Sequence, residues 1–503
     1  MNTDLQQQGF LHRFLQIAAS LPETLAIHHL DDDVHLTYAQ LRDQAEQING
    51  ALESLQVAPG MRVLLFLPNG IALVACYLAT IGRGAIPVLL NDKLTEREFT
   101  LLTKDAAPVV VLTSGALLAK RGAAMAQLAS LRAVVAVDAL PAALPRLPFA
   151  LHTLAEMQAA PLALQAPEGN PVATIQYTYK GLGEPLAVAH RYLSLTASSD
   201  GLHQHLHQQG PGSVHLVALP LYAVFGLTVL MVMPLSLGAT MLITNSLPRY
   251  NIADTLAKHK VSFACLVPDL IRLFIGQLLK RKVPLPQLEP KLMIYSGGSY
   301  LSPDVAEELG SLLGQPPIGQ GFGLTECLPI MLQSAIAPRK PGSIGQPVSG
   351  VEMRIINDSG EDVPNGCTGE LIVAGPTVAG EYLGKPHASA RFFRNGWLHT
   401  GDLVWRDADG HVFFVGRRLR ITKITAQMVD LTEVEQVAAS HPDVQRARVR
   451  VVRDEQGRNS LVLNVDCNSG QTSEALLGYM KLHLSAFKLP RLVQMLTPMK
   501  EAA

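Results

Sequence analysis

From Arg62 to Val137 the chain repeats one pattern, a short and almost wholly apolar run followed by a longer stretch with apolar residues at helical spacing. RVLLFLP (62–68) precedes GIALVACYLATIGRGA, IPVLLN follows, and APVVVLTS and LRAVVAV continue the series. A strand that is apolar at every position has no face for water, so both sides of its sheet must be covered. The helical stretches supply that cover, and the alternation predicts an α/β fold with mostly parallel sheets. VSFACLVP ahead of DLIRLFIGQLLKRK repeats the pattern further along.

At 503 residues the chain exceeds one ordinary domain. A hydrophobic content of 48% against 17% charged residues marks a core-forming protein. The net charge of −1 gives no electrostatic case for nucleic acid. Five scattered cysteines without a CxxC pair argue against a disulfide framework or a zinc site, and favour a reducing, cytoplasmic setting. The opening MNTDLQQQGFLHRFL lacks the basic flank and apolar core of a secretory signal. Leu216 to Thr244 carries no charge and is long enough for a membrane span. Pro220, Gly226, Pro234 and Gly238 cut it into strand, helix and strand lengths, so a buried core segment is expected and no membrane span. Ala139–Pro167, rich in Ala and Pro, reads as surface connection.

The character changes after Gly416. The basic GRRLRITK leads into VDLTEVEQVAASHPDV, a helix with Thr432 as expected N-cap, then into strands RARVRVVRD and LVLNVDC and a helix around EALLGYMKLHLSAF. We expect a large unit over 1–416 and a small, mobile α+β unit over 417–503, with Gly416–Leu419 as the hinge.

Four motifs carry chemistry. TIQYTYKGLGEPLAVAH (174–190) has the punctuation of a phosphate-binding turn but fits neither a Walker A loop nor a dinucleotide fingerprint. QGFGLTEC (320–327), WLHTGDL (397–403) and GRRLRITK (416–423) follow. Each alone has an ordinary structural reading: a helix cap for Thr-Glu, a solvated turn for the Asp, a surface charge for the Arg. In this order, and with LTYAQL, LPLYAVFGL, YSGGSYLS, GELIVAGPTVAGEYLG and FKLPR, they resemble the core motifs of the adenylate-forming superfamily, which comprises acyl- and aryl-CoA synthetases, adenylation domains and firefly-type luciferases.

The resemblance implies an α/β fold with a large N-terminal and a small C-terminal domain. It implies attack of a carboxylate on the α-phosphate of ATP with Mg²⁺, then transfer of the acyl group to an amine or a thiol, such as CoA or the pantetheine of an acyl carrier protein. By it, Thr325 donates to the α-phosphate, Glu326 holds Mg²⁺, Asp402 accepts from the ribose hydroxyls and Arg417 supplies a donor fork. Thr178, Gly181 and Gly183 belong to the loop that cradles pyrophosphate, and Gly321, Phe322 and Gly323 to the nucleotide turn. Ser299 and Tyr300 face the adenine. Tyr222, Ala223, Phe225, Gly226, Gly297 and Leu324 line the acid's pocket, whose apolar character favours an aromatic or acyl carboxylate. For each of these, ordinary core packing or a structural turn is the competing reading.

Three departures stand out. The glycine loop has Tyr179 and Leu182 at hydroxyl positions and Leu186-Ala187 where the family has Lys-Gly. The family's Gly-Lys motif beyond FKLPR is not met; Lys500 is the only lysine there. Leu419 and Ala426 replace, respectively, an Asp or Lys and a Gly near the pantetheine path. Lys180 is our expected stand-in for the missing catalytic lysine, with a solvated surface lysine as the alternative. The retained Thr325, Glu326, Asp402 and Arg417 favour an active ligase. The rewritten loop favours a degenerate homologue that binds nucleotide or acyl-adenylate and performs only the transfer half-reaction or a binding role.

Overall fold

The apolar runs build the first sheet. In the computed structural model, seven strands lie in the order Ala150–Thr153, Ala133–Ala136, Val110–Thr113, Arg62–Phe66, Ile86–Leu89, Val172–Tyr179 and Pro185–Arg191. Every neighbouring pair is parallel except the last, an antiparallel hairpin whose connection is the glycine loop. The structure describes residues 8–496, apart from 143, 145–146, 207–208, 315–317, 334–339, 455–456 and 468–471. Lys500 therefore lies outside the described residues.

Helix Ile71–Gly82 is apolar on all sides because it is buried from Leu73 to Gly82, covering this sheet beneath Tyr38–Ser54. The LTYAQL motif proves to be the start of that outer helix. Thr37 Oγ1 accepts from the Gln40 N–H and Gln40 Oε1 from the Thr37 N–H, a reciprocal cap.

The second sheet has fourteen strands. One half is parallel, running Leu25–His29, Thr240–Ile243, Val214–Val217, Phe263–Leu266, Met293–Ser296 and Ile318–Leu324. The uncharged segment resolves into strand Val214–Val217, a helical run from Val224 to Leu237 and strand Thr240–Ile243, all within the core. No helix among the described residues is long and apolar enough to cross a membrane. Beyond Leu324 the sheet turns antiparallel, through Cys327–Gln333, Ser343–Pro347, Val412–Arg417, Trp397–Arg406, Gly369–Ala374 and Glu352–Ile356. The Ala- and Pro-rich stretch is more than surface connection. It holds the edge strand Ala150–Thr153, and the Leu162 carbonyl accepts from buried Asn49.

Past Arg417 a hairpin, Ile421–Ile424 with Gln427–Asp430, leads to helix Leu431–Ala439. A three-stranded sheet (Val444–Arg453, Asn459–Cys467, Leu492–Leu496) and helix Ser473–His483 close a separate apolar core around Val434, Leu463 and Met480. The helix is capped by Asp430, whose carboxylate accepts from the Thr432 and Glu433 N–H groups, and not by Thr432 as expected. A carboxylate one position ahead of the acidic first turn is the stronger acceptor.

Two histidines are buried as neutral rings: burial pushes His190 down to about 4 and His215 down to about 3. Both values lie below the unfolded 6.5, so their contribution is complete above that pH and is lost as pH falls toward the folded values. Unfolding free energy should therefore drop by about 1.4 kcal/mol per pH unit per histidine below 6.5. Denaturant melts from pH 7 to 5 check this against a His215→Asn variant, which should show the shallower slope.

Candidate functional site

Two cavities of about 400 Å³ each meet at Gly298, Gly321–Gly323 and Lys423; the three residues expected as a nucleotide turn lie in strand Ile318–Leu324 instead. The first is lined by Tyr222, Ala223, Phe225, Gly226, Leu324 and Thr325 among largely aliphatic neighbours. Its walls need close backbone approach. A Cβ on Gly226 would sit 2.0 Å from the Pro220 carbonyl oxygen, and one on Gly297 would strike the Phe225 ring at 2.7 Å. Gly297 thus shapes this cavity through Phe225. Ser299, Tyr300 and Arg417 line the second cavity, with Phe322 and Gly416.

Strand pairing brings Asp402 and Arg417 together: they are register partners, and Arg417 Nε donates to Asp402 Oδ1 at 2.8 Å. Asp402 is buried, and its Oδ2 has no hydrogen-bond partner among the described residues. Asp402 itself lines neither cavity in this arrangement, although its partner Arg417 lines the second. A buried carboxylate oxygen without a partner is a ready acceptor for a ligand hydroxyl.

Thr325 and Glu326 form the two-residue turn between Ile318–Leu324 and Cys327–Gln333, so the Thr-Glu pair is a hairpin turn and not a helix cap. The turn presents Thr325 to the first cavity and buries Glu326. There Lys180 Nζ lies 3.1 Å from Glu326 Oε1, and Tyr382 Oη donates to the same oxygen at 2.6 Å. Lys180 is only 2% exposed, so the solvated alternative is excluded, and its ammonium also reaches the Thr400 carbonyl at 3.5 Å and the Phe392 ring at 5.5 Å.

The rest of the glycine loop is covered by the C-terminal unit. The Gly183 N–H donates to Asp430 Oδ2 at 3.0 Å, and Thr432 Oγ1 donates to the Gly181 carbonyl at 3.3 Å. Both glycines have φ near +76°, and a Cβ on Gly181 would meet the Arg420 nitrogen at 3.0 Å. Thr178 is buried in its strand. Thr178, Lys180, Gly181, Gly183 and Glu326 line neither cavity in this arrangement.

Lys423 stands where the cavities join, and burial followed by the Arg417 charge holds its ammonium down to about 8. Thr425 and Ala426 both take positive φ at the tip of their hairpin, and the Ala426 methyl lies 3.0 Å from where a Gly298 Cβ would be. The substituted methyl does line the first cavity.

Four contributors escaped the sequence reading. Gln176, on the strand before the loop, lines the first cavity with an Oε1 that lacks a partner among the described residues. Tyr382 sits inside the quoted GEYLG motif, and its hydroxyl could have been singled out there. Tyr179 and Lys488 form one buried cluster: Lys488 Nζ lies 2.7 Å from Glu98 Oε1, 2.8 Å from Glu433 Oε2 and 3.4 Å from Tyr179 Oη.

The profile of the AMP-binding enzyme family matches residues 14–383. The chain is 28% identical over 478 residues to the 4-hydroxybenzoate–CoA/benzoate–CoA ligase of Rhodopseudomonas palustris, covering 93% of this chain and 87% of that protein. It is 28% identical over 490 residues to the oxalate–CoA ligase of Arabidopsis thaliana, covering 95% and 92%. The fold superposes on the amide bond synthetase McbA of Marinactinospora thermotolerans with a TM-score of 0.84, at 23% identity over 98% of this chain and 97% of that one. The o-succinylbenzoate CoA synthetase of Bacillus subtilis gives 0.82 at 23% identity, covering 97% and 95%. With the glycine loop, the Thr-Glu turn and the paired Asp402 and Arg417 carried on this scaffold, the chain belongs to the AMP-binding enzyme family.

Proposed function

We propose that this protein is an acid–thiol ligase that activates an aromatic or acyl carboxylic acid with ATP and passes the acyl group to CoA, to a carrier-protein pantetheine or to an amine. The observation that carries the reading is the junction of an apolar cavity with a more polar one at Gly298, Gly321–Gly323 and Lys423, with Thr325 on the wall of the first. A carboxylate seated in the first cavity would meet the α-phosphate of a nucleotide in the second at that point. Leu219, Val229, Leu270 and Leu328 give the first cavity the apolar wall that an aromatic ring or alkyl chain needs.

In this reading Asp402 Oδ2 accepts from the ribose, and Arg417 holds the carboxylate in place while offering its remaining N–H groups. Ser299 and Tyr300 stand on the adenine side. The Thr325 hydroxyl donates to the α-phosphate, where negative charge grows during attack, and Lys423 meets that charge from the other side. A phosphate beside Lys423 would favour its charged form against the burial that depresses it. No step is assigned to Mg²⁺ at Glu326, because Lys180 and Tyr382 already engage that carboxylate. The small C-terminal unit, 417–503, would move about Gly416–Leu419 to uncover the glycine loop for pyrophosphate.

One observation favours the narrower alternative, a protein that binds an acyl-adenylate and performs transfer alone. The loop expected to hold pyrophosphate donates its Gly183 N–H to the Asp430 carboxylate, an anion of the chain itself. Pyrophosphate release from ATP across a panel of aromatic and fatty acids separates the two. Release with any acid supports the ligase. Adenylate binding without release supports the transfer reading, and no nucleotide binding at all sinks both.

A further inference from the structure

The least expected contact in the molecule is a lysine on the carboxylate that family resemblance reserves for a metal. Lys180 Nζ lies 3.1 Å from Glu326 Oε1, and both side chains are essentially closed to water, at 2% and 1% exposure. The same oxygen accepts from Tyr382 at 2.6 Å, so its lone pairs are committed within the protein. The ammonium is caged further by the Thr400 carbonyl and the face of Phe392. A Mg²⁺ ion needs oxygen ligands at roughly 2.1 Å in near-octahedral order. Seated on Glu326, it would place two further positive charges beside a buried ammonium and displace the Tyr382 hydrogen bond. Among the described residues the one group of three ligating side chains close enough for a metal is His28, Asp33 and His35, remote in the fold on the hairpin of Leu25–His29 and Val34–Thr37. Glu326 Oε1 is thus closed to a dication, which would be left with the carboxylate's other oxygen beside a buried ammonium.

We propose that the Lys180 ammonium is the resident cation of this site, holding the position on Glu326 where a divalent ion would otherwise bind, so that an adenylate or AMP binds here without a metal on that carboxylate. Lys180 is then a positioning residue. It neutralises Glu326, keeps the Thr-Glu turn seated against Tyr382, and leaves Thr325 free to face the cavities. Buried charges of opposite sign that pair in this way resist the loss of either partner far more than the loss of both. The inference rests on the AMP-binding reading only for the nature of the ligand; the ion pair itself is a property of the protein without ligands.

The test uses the full chain without nucleotide, with Mn²⁺ as the probe metal read by its electron paramagnetic resonance signal and by thermal unfolding. The wild type should take up no Mn²⁺ that is lost in Glu326→Gln, and its melting temperature should not respond to millimolar Mn²⁺. Lys180→Ala should melt several degrees lower, bind about one equivalent of Mn²⁺ and regain stability as it does. Lys180→Ala/Glu326→Gln should melt near the wild type and bind none. Mn²⁺ uptake by the wild type that depends on Glu326, or a folded Lys180→Ala that gains no site, overturns the assignment. If Lys180→Ala does not fold, calorimetry of AMP binding to the wild type decides. Affinities within twofold in EDTA and in Mg²⁺ uphold the proposal, and tenfold tightening by Mg²⁺ overturns it. Should AMP fail to bind, the AMP-binding reading falls while the Mn²⁺ response of the wild type still judges the cation.

Discussion

Replacing Lys488 by methionine should destabilise the protein by about 3–5 kcal/mol, because it strands two buried carboxylates. Lys488 Nζ is held between Glu98 of the large unit and Glu433 of the small one, and all three side chains are at most 2% exposed. Burial alone would lower the lysine's pKa, but Tyr179, Glu433 and Glu98 together raise it above its ordinary value. A raised folded value means that the contribution is complete below the unfolded 10.5 and is lost only as pH climbs through the folded value. The lysine is therefore charged at neutral pH; of its two partners, burial raises Glu433, whereas Glu98 is held below its ordinary value despite burial by Lys488. Methionine keeps the length and apolar stem, so the loss reports the charge and not the packing. The fragment 417–496 should become protease-sensitive before the large unit does, since Glu98 and the Thr95 hydroxyl, which donates to the His483 carbonyl, tie the two together. Adding Glu98→Gln and Glu433→Gln should recover most of the loss, as neutral groups tolerate burial better than lone charges. A single Lys488→Met variant that melts within a degree of the wild type would show that the pair carries no net stability.

Asp402→Ala should weaken AMP binding roughly 10- to 150-fold, the equivalent of about 1.5–3 kcal/mol for a hydrogen bond to a charged group. The carboxylate has one oxygen on Arg417 and the other open at 1% residue exposure, so the acceptor is desolvated before any ligand arrives. Desolvation already met during folding would favour a ligand hydroxyl at that oxygen. Asp402→Asn should lose much of the affinity too, because an amide presents one acceptor where the carboxylate presents two and weakens the hold on Arg417. Isothermal calorimetry with AMP measures both. Unchanged affinity in a folded Asp402→Ala protein would remove Asp402 from the nucleotide site.

Much of the architecture was legible in the amino-acid order. Apolar runs between Arg62 and Val137 became the parallel strands expected of them, since a strand without a polar face can only be buried. Pro220 and Gly238 bound the helical run within 216–244, as their local backbone limits lead one to expect, but Gly226 and Pro234 lie inside that run and do not cut it. The pairing of Asp402 with Arg417 was half legible: both motifs were identified, but their register across two antiparallel strands was not. The cap on Leu431–Ala439 was misplaced by two residues, since Asp and Thr compete for that position and only the backbone at Asp430 takes the extended cap geometry.

What the sequence determined by itself was the fold class, the order of motifs and the apolar character of the residues that line the first cavity, all of which rest on near-neighbour periodicity and residue type. What the tertiary structure alone decided was the partner of each buried charge. In sequence Lys180 reads as a stand-in for the missing catalytic lysine or as a solvated surface charge; only the hairpin turn at Thr325–Glu326 brings a carboxylate to 3.1 Å of it, just as only the fold brings Lys488 to Glu98. Burial of a charge depends on segments far apart in the chain, such as Lys180 and Thr400 at 220 residues' separation, and no local pattern encodes that distance.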